Sequence, residues 1–390
     1  MSLPELKTCF SQLIKSNSIS AITADGDHSN LEVIQLIQGW LTDLGFHCQM
    51  QAVKDSRGKY NLLASLLPRN GVTHGGLLLA GHSDTVPVDE GHWQQDPFQL
   101  TERDNRWYGL GSCDMKGFFA ICVAALKELP LDKLNKPLYI FASADEETTM
   151  NGAKAFVEQY ANQDNFCPEF AIIGEPTGMT PVYMHKGHLA KGIRVTGRSG
   201  HSSDPEKGLN AIEIMHEVIS QLQKLKQALA TQYQQTAFSV PYPTLNLGHI
   251  HGGDAANRIC GCCELHIDLR PIPGIPLQEL ELLIRQYLSP IQQRYPNAVD
   301  IFSLYPGNEA FGGDLNASWT QTAAKICGQE PQVVNYATEA PFISLLGCQT
   351  LVLGPGSIEQ AHQPNEYIEM SVLNQAQTVF KELIYNCCLK

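Results

Sequence analysis

The sequence predicts an α/β fold, with a largely parallel sheet flanked by helices and a smaller α+β domain inserted into it. Short, fully apolar segments such as GLLLAGHSD, which starts at Gly76, are typical of strands buried on both faces of a parallel sheet. Helical segments alternate with these strands along the chain, which is characteristic of α/β folds. Between about residues 181 and 306 the strands instead alternate apolar and polar residues, as half-exposed strands do.

The elements of the larger domain follow in chain order. Apolar residues at helical spacing predict a first helix over residues 6–14, and Ser29 with Glu32 forms a capping box before a second amphipathic helix. The segment KGFFAICVAALKELP, which starts at Lys116, predicts a third and largely buried helix. Further buried strands are predicted at PLYIFASADEE, FAIIGEP and TLVLGPG.

The inserted region has the strand–helix–strand–strand–helix–strand order of a small ferredoxin-like α+β sandwich. LAKGIRVTGRS and ICGCCELHIDLRP are its half-exposed strands, and the last strand lies near AVDIFSLY. Amphipathic helices are predicted at about 205–228 and 277–295. We therefore predict one domain formed by residues 1–180 and 307–390, and an inserted domain formed by residues 181–306.

Composition excludes several classes of function. The 390-residue chain carries a formal net charge of −13, which argues against nucleic acid as a partner. No apolar stretch approaches the roughly 20 residues of a membrane span, and the N-terminal segment does not resemble a signal peptide. Twelve scattered cysteines without a CxxC motif predict free thiols in a reducing cytoplasm. We therefore expect a cytoplasmic protein that does not bind nucleic acid or span a membrane.

Metal-competent side chains follow the predicted buried strands or open the buried helix. The set comprises His82 and Asp84, Asp114, Glu146 and Glu147, Glu175, and His362. Alone, each would most often be a turn, cap or surface residue. Open α/β sheets, however, place their ligand crevice at the carboxyl ends of the strands. Five separated segments that deliver such side chains to one edge therefore predict a functional site.

The chemistry of this set suits two divalent metal ions, zinc or cobalt, with manganese also suitable. One carboxylate must bridge ions that lie roughly 3.5–4 Å apart in such a centre. Asp84 is placed to accept a hydrogen bond from the His82 imidazole and fix its tautomer. Of Glu146 and Glu147, one is predicted to bind metal and the other to move protons during hydrolysis. The ions would compensate the charge of the three adjacent acids that begin at Asp145.

The segments GHSDTVP, GLGSCDMKGF, SADEETT, IIGEPT and AHQPNE resemble, in order and spacing, the signatures of the zinc aminoacylase and carboxypeptidase family of co-catalytic metallohydrolases. The resemblance covers essentially the whole chain. It implies five ligands: His82 and Glu175 for one ion, Glu147 and His362 for the other, and Asp114 as the bridge. It also implies that Glu146 is the general base and acid, with Asp84 supporting His82.

The inserted domain resembles the lid and dimerisation domain of that family, which implies a homodimer. His201, in GRSGHSSDP, matches a lid histidine that polarises the scissile carbonyl in its own or the partner subunit. Asn257 and Arg258, in DAANRI, match lid residues that bind substrate, and Arg258 suits an α-carboxylate. Without the resemblance, His201 would be interpreted as a surface loop histidine, and an ordinary surface arginine is the alternative for Arg258.

LNLGHIHGGDAANRICGCCELHIDLRPIPG and NYATEAPF resemble the bacterial members of the family that deacetylate N-acetyl-L-ornithine in arginine biosynthesis. The second amine of that substrate requires an acidic partner, for which Glu339 is the candidate; a solvated loop carboxylate is the alternative. A succinyl-diaminopimelate desuccinylase would need a second basic site, and a dipeptidase would need room for a free α-amine. An inactive metal-binding or interaction protein is the remaining alternative, against which the presence of Glu146 argues.

Overall fold

The chain divides into two compact units in a computed structural model that describes residues 3–89, 91–163 and 166–390. Unit 1 comprises Met1–Tyr183, Gly313–Gln332 and Thr338–Lys390, and unit 2 comprises Met184–Gly312 and Val333–Ala337. Unit 2 is therefore inserted into the sequence of unit 1. Its role as a lid and dimerisation domain stays a prediction.

The described residues contain nine α-helices and eighteen strands, numbered here in chain order. The helices α1–α9 are Leu6–Lys15, Leu31–Asp43, Lys116–Lys127, Asn151–Tyr160, Ala211–Gln232, Leu277–Arg294, Ser318–Cys327, Ala340–Ser344 and Met370–Ile384. The strands β1–β18 are His47–Ala52, Tyr60–Leu66, Leu77–His82, Thr101–Arg103, Arg106–Tyr108, Leu138–Ser143, Phe170–Ile173, Val182–His185, Leu189–Thr196, Gly200–His201, Thr244–Gly252, Arg258–Ile259, Cys262–Arg270, Val299–Ser303, Phe311–Gly312, Gln332–Val334, Gln349–Val352 and Tyr367–Glu369.

A mixed sheet organises unit 1, with β1, β2, β6, β3, β7 and β17 side by side in that order. The four central strands β6, β3, β7 and β17 are parallel, which confirms the predicted class of fold. Strand β2 pairs with β6 in antiparallel orientation, and β1 pairs with β2 in antiparallel orientation. All residues of β3 and β6 are buried, as their continuous apolar sequences predict. The carboxyl ends of the four parallel strands lie at one edge of the sheet, where the predicted site residues follow.

Helix α2 begins one residue later than the capping box predicts. Its N-cap is Asn30, whose side chain makes no capping hydrogen bond. Instead, the side-chain oxygen of Asn30 accepts the Tyr60 N–H at 2.9 Å. Its side-chain NH₂ donates to the Tyr60 carbonyl at 2.8 Å and to Ser83 Oγ at 2.7 Å. A tertiary contact with the central sheet therefore replaces the local capping interaction.

Unit 2 contains a four-stranded antiparallel sheet in the order β11, β13, β9, β14. With α5 after β9 and α6 after β13, this is the ferredoxin-like arrangement that the sequence predicts. Helix α5 packs against α6 and against β9, β11 and β13, and the apolar residues between them form the core of the unit. Within the part of the chain that the structure describes, no helix has the length and apolar character needed to span a membrane.

Candidate metal centre

The five predicted ligands lie together in unit 1, at the carboxyl-terminal edge of the parallel strands. His82 is the last residue of β3, Glu147 follows β6, and Glu175 follows β7. Asp114 lies in the loop before α3, and His362 lies between β17 and β18. Because the four parallel strands end at one edge, residues separated by up to 280 positions become neighbours.

Asp114 lies between two pairs of candidate ligands and directs one carboxylate oxygen to each pair. Its Oδ1 atom is 3.1 Å from Nε2 of His82, and that Nε2 is 3.8 Å from Glu175 Oε1. Its Oδ2 atom is 3.8 Å from Nε2 of His362, which is itself 2.9 Å from Glu147 Oε2. This is the arrangement that a bridging carboxylate between two cations requires.

The tautomer of His82 is fixed by the main chain. Its Nδ1–H donates to the carbonyl oxygen of Asp84 at 3.0 Å, which directs Nε2 toward Asp114. The sequence prediction assigned this contact to the Asp84 carboxylate, which lies farther away at 3.7 Å. That carboxylate instead accepts the backbone N–H groups of Glu146 and Glu147, at 3.3 and 3.2 Å. Asp84 therefore supports the histidine through its carbonyl and the two glutamates through its side chain.

Glu146 and Glu147 point to different parts of the site. Glu147 contacts His362, whereas ligand-competent atoms of Glu146, His82 and Glu175 lie within 4.8 Å of one another. Ligand-competent atoms of Glu147 also lie within 4.8 Å of those of His82 and Asp114, so each glutamate lies near His82 and only Glu147 contacts His362. The assignment of Glu146 as the base, implied by the resemblance, stays a prediction.

The residues present fit a pair of divalent cations. Burial raises the pKa of Glu146 well above its usual range, and the Glu175 carboxylate raises it further. Burial and the Asp114 carboxylate act in the same way on Glu175. Among the described residues, no group donates a hydrogen bond to the buried Oε1 atom of Glu147. Bound cations would stabilise the charge of the buried Glu146 and Glu175 carboxylates and would give Glu147 Oε1 a partner. A set of imidazole nitrogens and carboxylate oxygens suits zinc, cobalt or manganese.

A buried lysine, which the sequence analysis did not identify, compensates Asp145, the first of the three adjacent acids. The fully buried Lys59 ammonium lies 2.8 Å from Asp27 Oδ1 and 3.4 Å from Asp145 Oδ1. Ser20 Oγ also donates to Asp145, at 3.1 Å. The prediction that metal ions compensate all three adjacent acids is therefore wrong for Asp145. A charged residue directly before the apolar strand β2 was the available sequence signal.

Glu339 lies inside unit 1 rather than in a solvated loop. Only 1% of the residue is exposed, and Ser143 Oγ donates to its Oε2 atom at 2.8 Å. Burial raises the pKa of Glu339 to about 7. Contact between Glu339 and a substrate amine stays a prediction, and the burial of this carboxylate weighs against it.

The three predicted lid residues come together in unit 2. His201 in β10 is the register partner of Arg258 in β12, and the Asn257 carbonyl accepts the Ser202 N–H at 3.1 Å. Nδ1 of His201 accepts the backbone N–H of Ser203 at 3.2 Å and lies 2.7 Å from the Ser203 hydroxyl, which leaves Nε2 without a contact to Ser203. The exposed Arg258 guanidinium pairs with Asp254 at 2.6 Å. The β10–β12 strand pair therefore places an imidazole and a cation side by side.

Comparisons with known proteins identify the family of the chain. Residues 78–386 match the family model described as Peptidase family M20/M25/M40. The chain is 51% identical over 387 residues to an acetylornithine deacetylase of Proteus mirabilis, covering 99% of this chain and 98% of that protein. It is also 51% identical over 389 residues to an acetylornithine deacetylase of Yersinia pseudotuberculosis, covering 100% and 99% of the two chains.

Solved structures share the fold at low sequence identity. A metallo-carboxypeptidase of the M20 family from Sulfolobus solfataricus matches with a TM-score of 0.76 at 19% identity, over 98% of this chain and 99% of that chain. A dinuclear metal-binding M20 peptidase of Bacillus subtilis matches with a TM-score of 0.66 at 15% identity, over 97% and 96% of the two chains. These two likenesses concern the fold alone.

Proposed function

Because the chain belongs to peptidase family M20/M25/M40, we propose that it is a metal-dependent amide hydrolase acting on N2-acetyl-L-ornithine. The reaction consumes water and yields L-ornithine and acetate, a step of arginine biosynthesis. The observation that carries the proposal is the position of Asp114, whose two carboxylate oxygens lie 3.1 and 3.8 Å from His82 and His362. The 51% identity to acetylornithine deacetylases over nearly the whole chain supports the choice of substrate.

The ligand roles follow the predicted assignment. His82 and Glu175 would hold one ion, Glu147 and His362 would hold the other, and Asp114 would bridge them. When bound, two divalent ions supply electrophilic activation of the amide carbonyl and of the attacking water.

Proton transfer falls to Glu146. Its carboxylate accepts a proton from the attacking water and then donates it to the departing α-amine, while the C–N bond breaks. Asp84 keeps Glu146 and Glu147 in place by accepting both backbone N–H groups, at 3.3 and 3.2 Å. The Nε2–H of His201 is the proposed donor to the developing oxyanion, in its own or the partner subunit.

Further proposals concern the state of the protein in the cell. Zinc or cobalt is the proposed metal, because the donor set combines imidazole and carboxylate groups. A homodimer formed through unit 2 and a cytoplasmic location are proposed from the family resemblance and the cysteine pattern. Metal analysis of the purified protein, sedimentation equilibrium and cell fractionation measure these three properties.

A substrate comparison tests the proposed function. Metal-reconstituted protein is expected to release amine from N-acetyl-L-ornithine in strong preference to N-succinyl-diaminopimelate and to a dipeptide. Activity is expected to disappear on chelation and to return with Zn²⁺ or Co²⁺. Preference for another of the three substrates would refute the substrate assignment, and activity that survives complete metal removal would refute the metal-dependent chemistry.

Arg258 is expected to bind the α-carboxylate of the substrate. Because a hydrogen bond to a charged group contributes about 1.5–3 kcal/mol, Arg258→Ala should raise KM about 10- to 100-fold, as steady-state kinetics would measure. Arg285→Ala, at an exposed position of helix α6 in the same unit, is the control and should leave KM unchanged. Equal KM values for both variants would exclude Arg258 from substrate binding.

A further inference from the structure

We propose that Glu366 is a positioning residue of the metal centre, which fixes the loop carrying Asp114 to the segment carrying His362. The inference rests on the proposed metal-dependent function, but it concerns metal binding and is independent of the substrate. Glu366 is not a candidate ligand, and its side chain contacts backbone N–H groups instead of the ligand atoms.

The Glu366 carboxylate accepts three backbone N–H groups of the loop that carries Asp114. Glu366 Oε1 accepts the backbone N–H groups of Cys113 at 2.7 Å and Asp114 at 2.9 Å, and its Oε2 accepts the N–H of Gly111 at 2.9 Å. The main-chain carbonyl of Glu366 accepts the Gly109 N–H at 3.0 Å. The residue is only 2% exposed, so water does not compete for these bonds. Four hydrogen bonds from one residue thus define the backbone path into Asp114.

The loop depends on these bonds because its own backbone is permissive. Gly109 and Gly111 have φ angles of 154° and 82°, in a region that glycine adopts readily and other residues rarely do. A loop with two such glycines has many alternative paths in isolation. Glu366 selects one of them by binding N–H groups on both sides of Ser112. The position of the Asp114 carboxylate then follows from the fixed backbone.

The same side chain connects two parts of the metal centre that are distant in sequence. Glu366 lies four residues after His362, whereas the N–H groups that it binds lie about 250 positions earlier. Cys113 Sγ reinforces the link by contacting the carbonyl of Ser357, five residues before His362, at 3.5 Å. Asp114 must reach toward both His82 and His362, so the distance between the two segments determines whether it can bridge.

A purely structural role makes a different prediction. If Glu366 only stabilised the fold, its replacement would lower the stability of the metal-free protein and leave the affinity of the folded protein for metal unchanged. If Glu366 positions Asp114, its replacement weakens metal binding in protein that remains folded. Replacing a residue that orients a metal ligand without binding the metal itself typically lowers the affinity for metal 10- to 100-fold.

Glu366→Gln is the decisive variant, because the amide keeps the size of the side chain but directs an NH₂ group at one of the N–H donors. Calorimetric titration of the metal-free protein with Co²⁺ is expected to show at least a 10-fold loss of affinity relative to the wild type. The visible absorption of the bound Co²⁺ should also change, since it reports ligand geometry. Glu369→Gln is the matched control, because Glu369 is exposed at the end of β18, the strand that begins directly after Glu366, and pairs with Arg106 at 3.3 Å.

Glu366→Asp provides a second test, and the only one needed if the glutamine variant does not fold. The shorter side chain cannot reach all three N–H groups, so a lower Co²⁺ affinity than that of the wild type is expected, and wild-type affinity in folded Glu366→Asp would overturn the inference. Circular dichroism establishes that each titrated variant is folded. Wild-type Co²⁺ affinity and absorption in folded Glu366→Gln, or an equal loss in Glu369→Gln, would overturn the inference. Wild-type protein that binds Co²⁺ but does not hydrolyse N-acetyl-L-ornithine would refute only the proposed substrate.

Discussion

Replacement of Glu146 by glutamine is expected to lower kcat for N-acetyl-L-ornithine by about 10²- to 10⁴-fold, the usual contribution of general acid–base catalysis. This range corresponds to about 3–5 kcal/mol of transition-state stabilisation. Glutamine has the shape of glutamate but cannot accept the proton of the attacking water. The backbone N–H of residue 146 would still donate to Asp84, as it does at 3.3 Å in the wild type. The variant should therefore lose proton transfer without losing the shape of the site.

Metal content separates the role of Glu146 from that of its neighbour. The Glu146→Gln variant should retain two metal ions per chain by atomic emission spectroscopy, with kcat measured on the same sample. Glu147→Gln should lose metal, because Glu147 lies 2.9 Å from His362 in the second ligand pair. Loss of metal from Glu146→Gln would make Glu146 a ligand, since it also lies close to His82 and Glu175. Undiminished kcat with full metal content would assign proton transfer to another group.

The sequence was sufficient to predict the central sheet and the grouping of the ligands, for one physical reason. Continuous apolar segments such as Leu77–His82 indicate strands buried on both faces, and such strands are parallel in α/β folds. Parallel strands present their carboxyl ends at one edge, so the position of a polar residue just after a strand is enough to place it. The grouping of His82, Glu147 and Glu175 therefore required no knowledge of individual contacts.

The supporting contacts could not be predicted, because they depend on distances between segments far apart in the chain. Whether His82 donates to the carbonyl or to the carboxylate of Asp84 is decided by less than 1 Å, at 3.0 against 3.7 Å. Glu366 is present in the recognised segment AHQPNE, but its partners lie about 250 residues earlier. Similarly, the position of Lys59 directly before an apolar strand does not identify its partner Asp145, which is 86 positions away.

Replacement of Lys59 by methionine is expected to lower the free energy of unfolding of unit 1 by about 3–5 kcal/mol, the usual cost of removing one partner from a buried ion pair. Asp27 and Asp145, with side chains 12% and 8% exposed, would lose the cation that lies 2.8 and 3.4 Å from them. The hydrogen bond of 3.1 Å from Ser20 to Asp145 is too small a compensation for an unpaired buried charge. Methionine matches the apolar stem of lysine, so the effect would arise from charge and not from a cavity.

Tryptophan fluorescence is a suitable probe for this experiment, because Trp40, Trp93, Trp107 and Trp319 all belong to unit 1. Urea unfolding of metal-free protein would be compared with Lys136→Met, which removes an ion pair of similar length, 2.7 Å to Glu169. Both side chains of that pair are more than 40% exposed, so its loss should cost less than about 1 kcal/mol.

The double variant Lys59→Met with Asp27→Asn should recover part of the lost stability, because it removes one of the two unpaired charges. A buried ion pair is costly to break, whereas an exposed ion pair contributes little to stability. Lys59 and Lys136 differ mainly in burial. If Lys59→Met unfolds at the same urea concentration as Lys136→Met, the buried cation does not stabilise unit 1. The order of Asp145 and the adjacent Glu146 would then have to come from the Ser20 and Asp84 contacts alone.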